Sequence, residues 1–263
     1  MREFEHHEPC MGTVFSFRGL TSISAADQAE ALLTATNTLH KADSIFSLYK
    51  PESPLSRLAR GETSVAELPS VVEQVWNLCE GWEKTTDGWF SAFTPEHTFD
   101  PSGMVKTWAA QYAAGKLIEA GIVDFTLNAG GDILISDQQS REDFWRIAIS
   151  KPVSIASQDS GVLTVLDLTG SEYRAVATSG SAERGQHIWN PKSGELQKDV
   201  VQVSVIARDL VEADVWATAA FAEGVRSLER INRQPNLEAL YVLADGNLEG
   251  TDGILGLLAK PTR

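Results

Sequence analysis

From Ala25 to about Phe46 apolar residues recur at steps of three and four, the spacing of one buried helix face, and predict an α-helix. Just before it, MGTVFSFR (Met11 to Arg18) alternates apolar and polar and predicts a strand. A second helix is predicted from Ser70 to about Thr86, with Ser70 and Glu73 at capping-box spacing after Pro69. A third runs from Gly103 to Ala120 and stops at Gly121. IVDFTLN then predicts a strand leading into the pair Gly130 and Gly131, and FWRIAIS, GVLTVLDL, YRAVATS and VVQVSVIA predict further strands. The next helix spans Leu210 to Ala222, opened by a capping box of Asp209 and Glu212 and stopped by Gly224. A short helix, the strand EALYVLAD and the turn DGN close the pattern. Strands and helices interleave, but with meander-like runs of strands, which predicts an α+β fold rather than a doubly wound parallel sheet. The chain contains neither an internal repeat nor a Pro/Ser-rich linker, so one compact unit is expected.

Composition narrows the function. The 263 residues are 43% hydrophobic and 22% charged, as in an ordinary globular protein. The net charge of −14 is spread along the chain, and no basic face is visible for nucleic acid. An anionic chain can still take a phosphate ligand, provided a cation or a local cluster of donors mediates. Cys10 and Cys79 form no CxxC pair, and two free thiols are expected. The opening MREFEHHEPCMGTVF lacks the apolar core of a secretion signal, and no run is long and apolar enough for a membrane span, so a cytoplasmic location is expected.

Four stretches could carry chemistry. In VEADVWATAA, Asp214 and Thr218 lie four apart and project from one face of an otherwise apolar helix. They are either satisfied locally, by a backbone carbonyl and a nearby cation, or they form a hard-cation site, since Mg²⁺ takes one or two carboxylates and completes its shell with neutral oxygens. In TFDPSGMVKTWAA, the turn Pro101–Ser102–Gly103 enters a helix between Asp100 and Lys106, which reads as an anion site or as an ordinary Asx-type helix start. ATSGSAERGQHIWNPKSGE has the glycine spacing of a P-loop at Gly180 and Gly185, but Gln186 and His187 stand where Lys and Ser/Thr belong, so a P-loop is rejected. What remains is a small-residue loop leading to His187, a general-base candidate or a structural histidine. In LNAGGDILIS the two glycines between strand-like segments imply a tight turn or a close approach of backbone to a ligand.

Taken in order, MGTVFS, FSLYKPESPLSRLARGE, TTDGWFSAF, FDPSGMVKTWAAQYAAGKLIEAGI, LNAGGDI, ATSGSAERGQHIWNPKSG and ARDLVEADVWATAAFAEG resemble the ApbE family of FAD:protein FMN transferases across nearly the whole chain. The resemblance implies a T-fold-related mixed sheet with packed helices in two interlocked lobes. It also implies Mg²⁺-dependent cleavage of the FAD pyrophosphate, with FMN moved to a Thr or Ser hydroxyl of an acceptor flavoprotein and AMP released; the alternatives are an FAD pyrophosphatase giving free FMN and AMP and a flavin-binding protein without turnover. By the same resemblance Asp214, Thr218 and the Gly103 carbonyl are metal ligands. Met11, Tyr49, Phe90, Ser91, Ala92, Asp100, Lys106, Thr178, Ser179 and Ile188 are FAD contacts, and His187 takes the acceptor's proton. Three departures stand out: Asn190 where the family usually has Asp, Val105–Lys106–Thr107 for its AKG, and FSAF for its FDPT. The first two are expected to weaken FAD or metal affinity, and the third leaves Ser91 and Ala92 their backbone contacts. Without an export signal, the acceptor is expected to be cytoplasmic.

Overall fold

The computed structural model describes residues 1–94, 98–152, 161–180 and 188–259. The chain divides into two compact units, Met1–Gly130 and from Gly131 onward, with the boundary inside the glycine pair. The sequence carries no linker composition at that point, which is why its pattern reads as one unit.

In the first unit β1 (Arg2–Cys10) and β2 (Thr13–Thr21) form an antiparallel hairpin in register Cys10↔Thr13. Its two-residue loop, Met11–Gly12, has φ of 51° and 73°, the left-handed pair that matches the twist of the strands. The predicted strand therefore starts late: Met11 belongs to the turn. Helix α1 (Ala25–Phe46) has the predicted bounds, because Ser24 caps it by accepting from Asp27 N at 3.1 Å and its apolar stripe runs unbroken to Phe46. The short α2 (Pro54–Ala59) begins with Ser53 accepting from Ser56 N and with proline in the first turn. Helix α3 (Ser70–Thr85) differs from expectation at its start. Pro69 is the cap residue and Ser70 is already helical, so no side-chain cap forms there. Helix α4 (Ser102–Glu119) packs on α1, with Phe46 and Trp108 edge to face at 5.8 Å. Strand β3 (Asp124–Ala129) pairs antiparallel with β2, and Phe15, Phe17, Phe125 and Leu127 are fully buried. Gly130 ends this unit at φ 66°, where a Cβ would run into the Thr13 side chain.

The second unit opens with β4 (Asp132–Ile135). Strands β5 (Arg146–Ser150) and β6 (Val162–Asp167) pair antiparallel as a separate ribbon. Strands β7 (Ala175–Gly180) and β8 (Val200–Ala207) follow, then the helices α5 (Leu210–Glu223) and α6 (Ser227–Asn232). Strands β9 (Glu238–Leu243) and β10 (Leu248–Gly250) complete it, giving the antiparallel order β4–β7–β8–β9–β10. One apolar cluster joins the ribbon to the sheet through Ile147, Ile149 and Leu166 against Ile135, Val176 and Ile206. Helix α5 lies against β7 and β8 and is buried on nearly every side. The α+β class stands, with antiparallel pairing throughout the named strands.

Candidate functional site

The N-cap of α5 is Asp209, whose carboxylate accepts from Glu212 N at 3.0 Å, so the forward half of the expected capping box is present. Gly224, at φ 79°, ends the helix. Between these ends Ala213, Val215, Trp216, Ala217 and Ala219 are all buried, and so is Asp214, at 7% exposed. A helix apolar all round is a core helix, and a carboxyl in its middle costs free energy unless something compensates it. Thr218 stands one turn on, half-buried, and its Oγ1 lies 3.3 Å from Ser179 Oγ on β7. The structure thus brings Thr218 and Ser179 together, with Asp214 on the same helix face as Thr218. The neighbouring Thr178 is fixed at both ends: its N–H donates to Asp132 Oδ1 at 3.0 Å, and its hydroxyl shares a 2.8 Å hydrogen bond with the fully buried Ser204.

This donor set is all oxygen: one carboxylate and neighbouring hydroxyls. That is the chemistry of a hard cation such as Mg²⁺ rather than of zinc, which favours nitrogen and sulfur. Among the described residues no group of three or more His, Cys, Asp and Glu could hold a metal. A cation here therefore depends on a single carboxylate supplemented by neutral oxygens. Glu212, on the first turn of α5, has its carboxyl pushed up from 4.5 by burial and then by the neighbouring Asp209.

In the first unit, the Asp100–Lys106 stretch is an Asx-type helix start: Asp100 Oδ1 accepts from Ser102 N at 3.0 Å. Asp100 N donates in turn to Ala92 O at 2.7 Å, which ties the Phe90–Ala92 segment to the start of α4. Trp76 packs at 4.6 Å from Phe99 and 4.9 Å from Phe93 and braces the same segment. The Phe90 and Ala92 side chains are buried at 2% exposed each, and Ser91 Oγ accepts from Phe93 N. A Cβ on Gly103 would meet only Phe90 Cε2, at an ordinary 3.5 Å, so local packing does not require glycine there. Met11 occupies the left-handed hairpin tip, while Tyr49, after α1, is 99% exposed. An aromatic side chain held wholly in solvent adds nothing to the fold of its own unit.

His187 and the small-residue loop 181–187 lie outside the described residues, and Ile188 beyond them is half-buried. Asn190 closes the NPKSG turn: its Oδ1 accepts from Lys192 N at 2.9 Å and Ser193 N at 3.2 Å. A carboxyl oxygen would accept the same two bonds, so Asn and Asp serve that turn equally. Cys10 and Cys79 are free and buried, as expected, with thiols pushed up to about 11 and about 12, in both cases first by burial. Sequence reading missed Asp132 and Ser204, the two residues that hold Thr178 in place. The GGD triplet was the available signal for Asp132.

The ApbE family model matches residues 91–241. A curated relative from Salmonella typhimurium (strain LT2), an FAD:protein FMN transferase, is 26% identical over 161 residues, covering 58% of this chain and 44% of the relative. The FAD:protein FMN transferase of Rhodobacter capsulatus is 32% identical over 192 residues, covering 67% of this chain and 35% of the relative. The matches span less than half the length of these curated relatives. Among solved structures, the flavin transferase ApbE from Vibrio cholerae superposes with a TM-score of 0.79 at 21% identity, covering 98% of this chain and 99% of that one. The ApbE protein from Thermotoga maritima gives a TM-score of 0.77 at 18% identity, covering 98% and 100%. At these identities the two structures establish the shared fold.

Proposed function

The chain belongs to the ApbE family, and on that premise we propose that it is an FAD:protein FMN transferase that uses Mg²⁺ at α5. The observation that carries the reading is the set of oxygens on α5 and β7: Asp214 buried in an apolar helix, Thr218 one turn on, and Ser179 beside Thr218. The chemistry supplied by a bound Mg²⁺ is withdrawal of charge from the pyrophosphate oxygens. Asp214 supplies the anionic ligand oxygen, and its helix, capped at both ends, holds that oxygen without further ordering. Thr218 offers a hydroxyl lone pair on the same face, and Ser179 Oγ fixes the orientation of that hydroxyl. The resemblance adds the Gly103 carbonyl to the ligands and Lys106 as a cation for the phosphates. It also adds the FAD contacts Met11, Tyr49, Phe90, Asp100, Thr178 and Ser179, the backbone of Ser91 and Ala92, and the side chain of Ile188.

In the transfer itself, the acceptor's Thr or Ser oxygen attacks the FMN phosphorus. The new P–O bond forms as the bond to the bridging oxygen breaks, and AMP departs with that oxygen as a phosphate anion. His187 takes the proton from the attacking hydroxyl, a role worth about 10²- to 10⁴-fold in rate. An acidic chain of net charge −14 then holds a dinucleotide through a cation and local donors rather than through a basic surface.

The test is incubation of the purified chain with FAD and Mg²⁺, first alone and then with a flavoprotein domain bearing a Thr or Ser acceptor. AMP release matched by covalent flavin on the acceptor supports transfer. AMP and free FMN without acceptor would instead make the chain an FAD pyrophosphatase. No AMP under either condition would overturn the reading.

A further inference from the structure

The strand pairing between β4 and β7 runs Ile133↔Val176 and Leu134↔Ala175. Two residues further along β7, the half-buried Thr178 directs its N–H toward a place that the β4 backbone has left, because Gly130 and Gly131, at φ 66° and 105°, turn the chain away. An amide left there without an acceptor would keep the full cost of its desolvation. The side chain of Asp132, 2% exposed, folds into the gap and accepts that N–H through Oδ1 at 3.0 Å. On its other edge β7 pairs Thr178 with Ser204, and their hydroxyls share a 2.8 Å bond. Thr178 is therefore clamped from both sides. Side chains alternate along a strand, so fixing Thr178 also fixes the direction of Ser179 on the opposite face, where Oγ meets Thr218 Oγ1 at 3.3 Å.

We propose that Asp132 is a positioning residue for the α5 site: by accepting the Thr178 N–H it sets the β7 backbone that aims Ser179 Oγ at Thr218. The proposal rests on the reading of Asp214 and Thr218 as cation ligands. Removing a group bonded directly to a metal ligand typically changes metal affinity about 10- to 100-fold. Asp132 acts on such a group, Ser179, through the β7 backbone, so the lower end of that range is expected. The role requires an acceptor oxygen and not a charge, which separates it from a direct part in binding the cation.

Asp132→Asn keeps a carbonyl oxygen that can accept the same bond, whereas Asp132→Leu removes it. Binding of Mn²⁺ in the presence of FAD, followed by the loss of the free-ion electron paramagnetic resonance signal, reads the site without turnover. The expected result is about tenfold weaker Mn²⁺ binding and faster hydrogen exchange at the Thr178 amide in Asp132→Leu, with Asp132→Asn within about twofold of the unsubstituted chain. Unchanged Mn²⁺ affinity in folded Asp132→Leu would overturn the proposal, and so would an Asp132→Asn as weak as the leucine variant. If the leucine variant does not fold, Ser179→Ala decides, because removing the positioned group must reproduce the loss. Wild-type affinity in Ser179→Ala overturns the proposal. Failure of the unsubstituted chain to bind Mn²⁺ would sink the cation reading itself, a different result from binding that Asp132 does not affect.

Discussion

Helices α4 and α5 each carry carboxyl groups in or near their first turns, and the difference between them separates structural duty from chemistry. Asp100 sits just before α4 and accepts the N–H of Ser102, a bond that accounts for an aspartate at that place. Asp209 does the same work for α5 through Glu212 N. Asp214 lies a full turn further in, 7% exposed, where no helix end needs an acceptor. A polar group whose backbone partner is visible carries little information about ligands. A carboxyl set inside an apolar helix is not accounted for by helix capping, and under the proposed function it is the anionic ligand beside the hydroxyls of Thr218 and Ser179.

The largest effect that could break this comparison is expected at Asp214. Asp214→Ala should lower transfer by at least about 10²-fold while leaving the fold intact, since alanine favours a helix interior more than aspartate does. Asp100→Ala should instead raise the KM for FAD and leave the Mg²⁺ requirement unchanged. Steady-state titrations of FAD and of Mg²⁺ on both variants check the contrast, and equal shifts in Mg²⁺ demand would erase it. Next in size, Thr218→Val keeps shape but removes the hydroxyl, and should raise the Mg²⁺ concentration for half-maximal rate by about tenfold. An unaltered Mg²⁺ curve would reduce Thr218 to packing.

Asp209→Ala sharpens the other side. Loss of the cap should lower stability by about 1 kcal/mol in a denaturant melt, with Mg²⁺ dependence untouched. The smallest effect concerns pH. Burial and Asp209 raise the Glu212 carboxyl above 4.5, so between 4.5 and its raised folded value the native state holds more protons than the unfolded one. Its contribution to stability is therefore fully present below 4.5 and is lost as pH rises through the folded value. Glu212→Gln should flatten that segment of the stability–pH profile and slightly stabilise the protein at neutral pH, as denaturant melts at stepped pH would reveal.

How much of this was legible in the sequence depended on range. The stripe of α1 and the two ends of α5 are local patterns, and their residues alone place them. β1 was missed because only Phe4 and Cys10 of its nine residues are buried, and its charged and histidine side chains read as a polar leader. α2 is too short for periodicity to emerge from a few residues. At Ser70 the capping spacing was present, but Pro69 takes the cap position and Ser70 is already the first helical residue. In the site, Asp214 and Thr218 were legible because a helix converts a spacing of four into shared direction. The bonds Asp132–Thr178 and Ser179–Thr218 join residues 46 and 39 positions apart, and only the strand pairing and the docking of α5 bring those residues together.

The account rests on a divalent ion held by Asp214 and Thr218. A crystal soaked with FAD and Mn²⁺ tests it most directly, because the anomalous signal locates the ion independently of the protein. The account predicts a peak about 2.1 Å from both an Asp214 carboxylate oxygen and Thr218 Oγ1, shared with a pyrophosphate oxygen. FAD bound with no Mn²⁺ at that helix face, or with the ion on other residues, would contradict it.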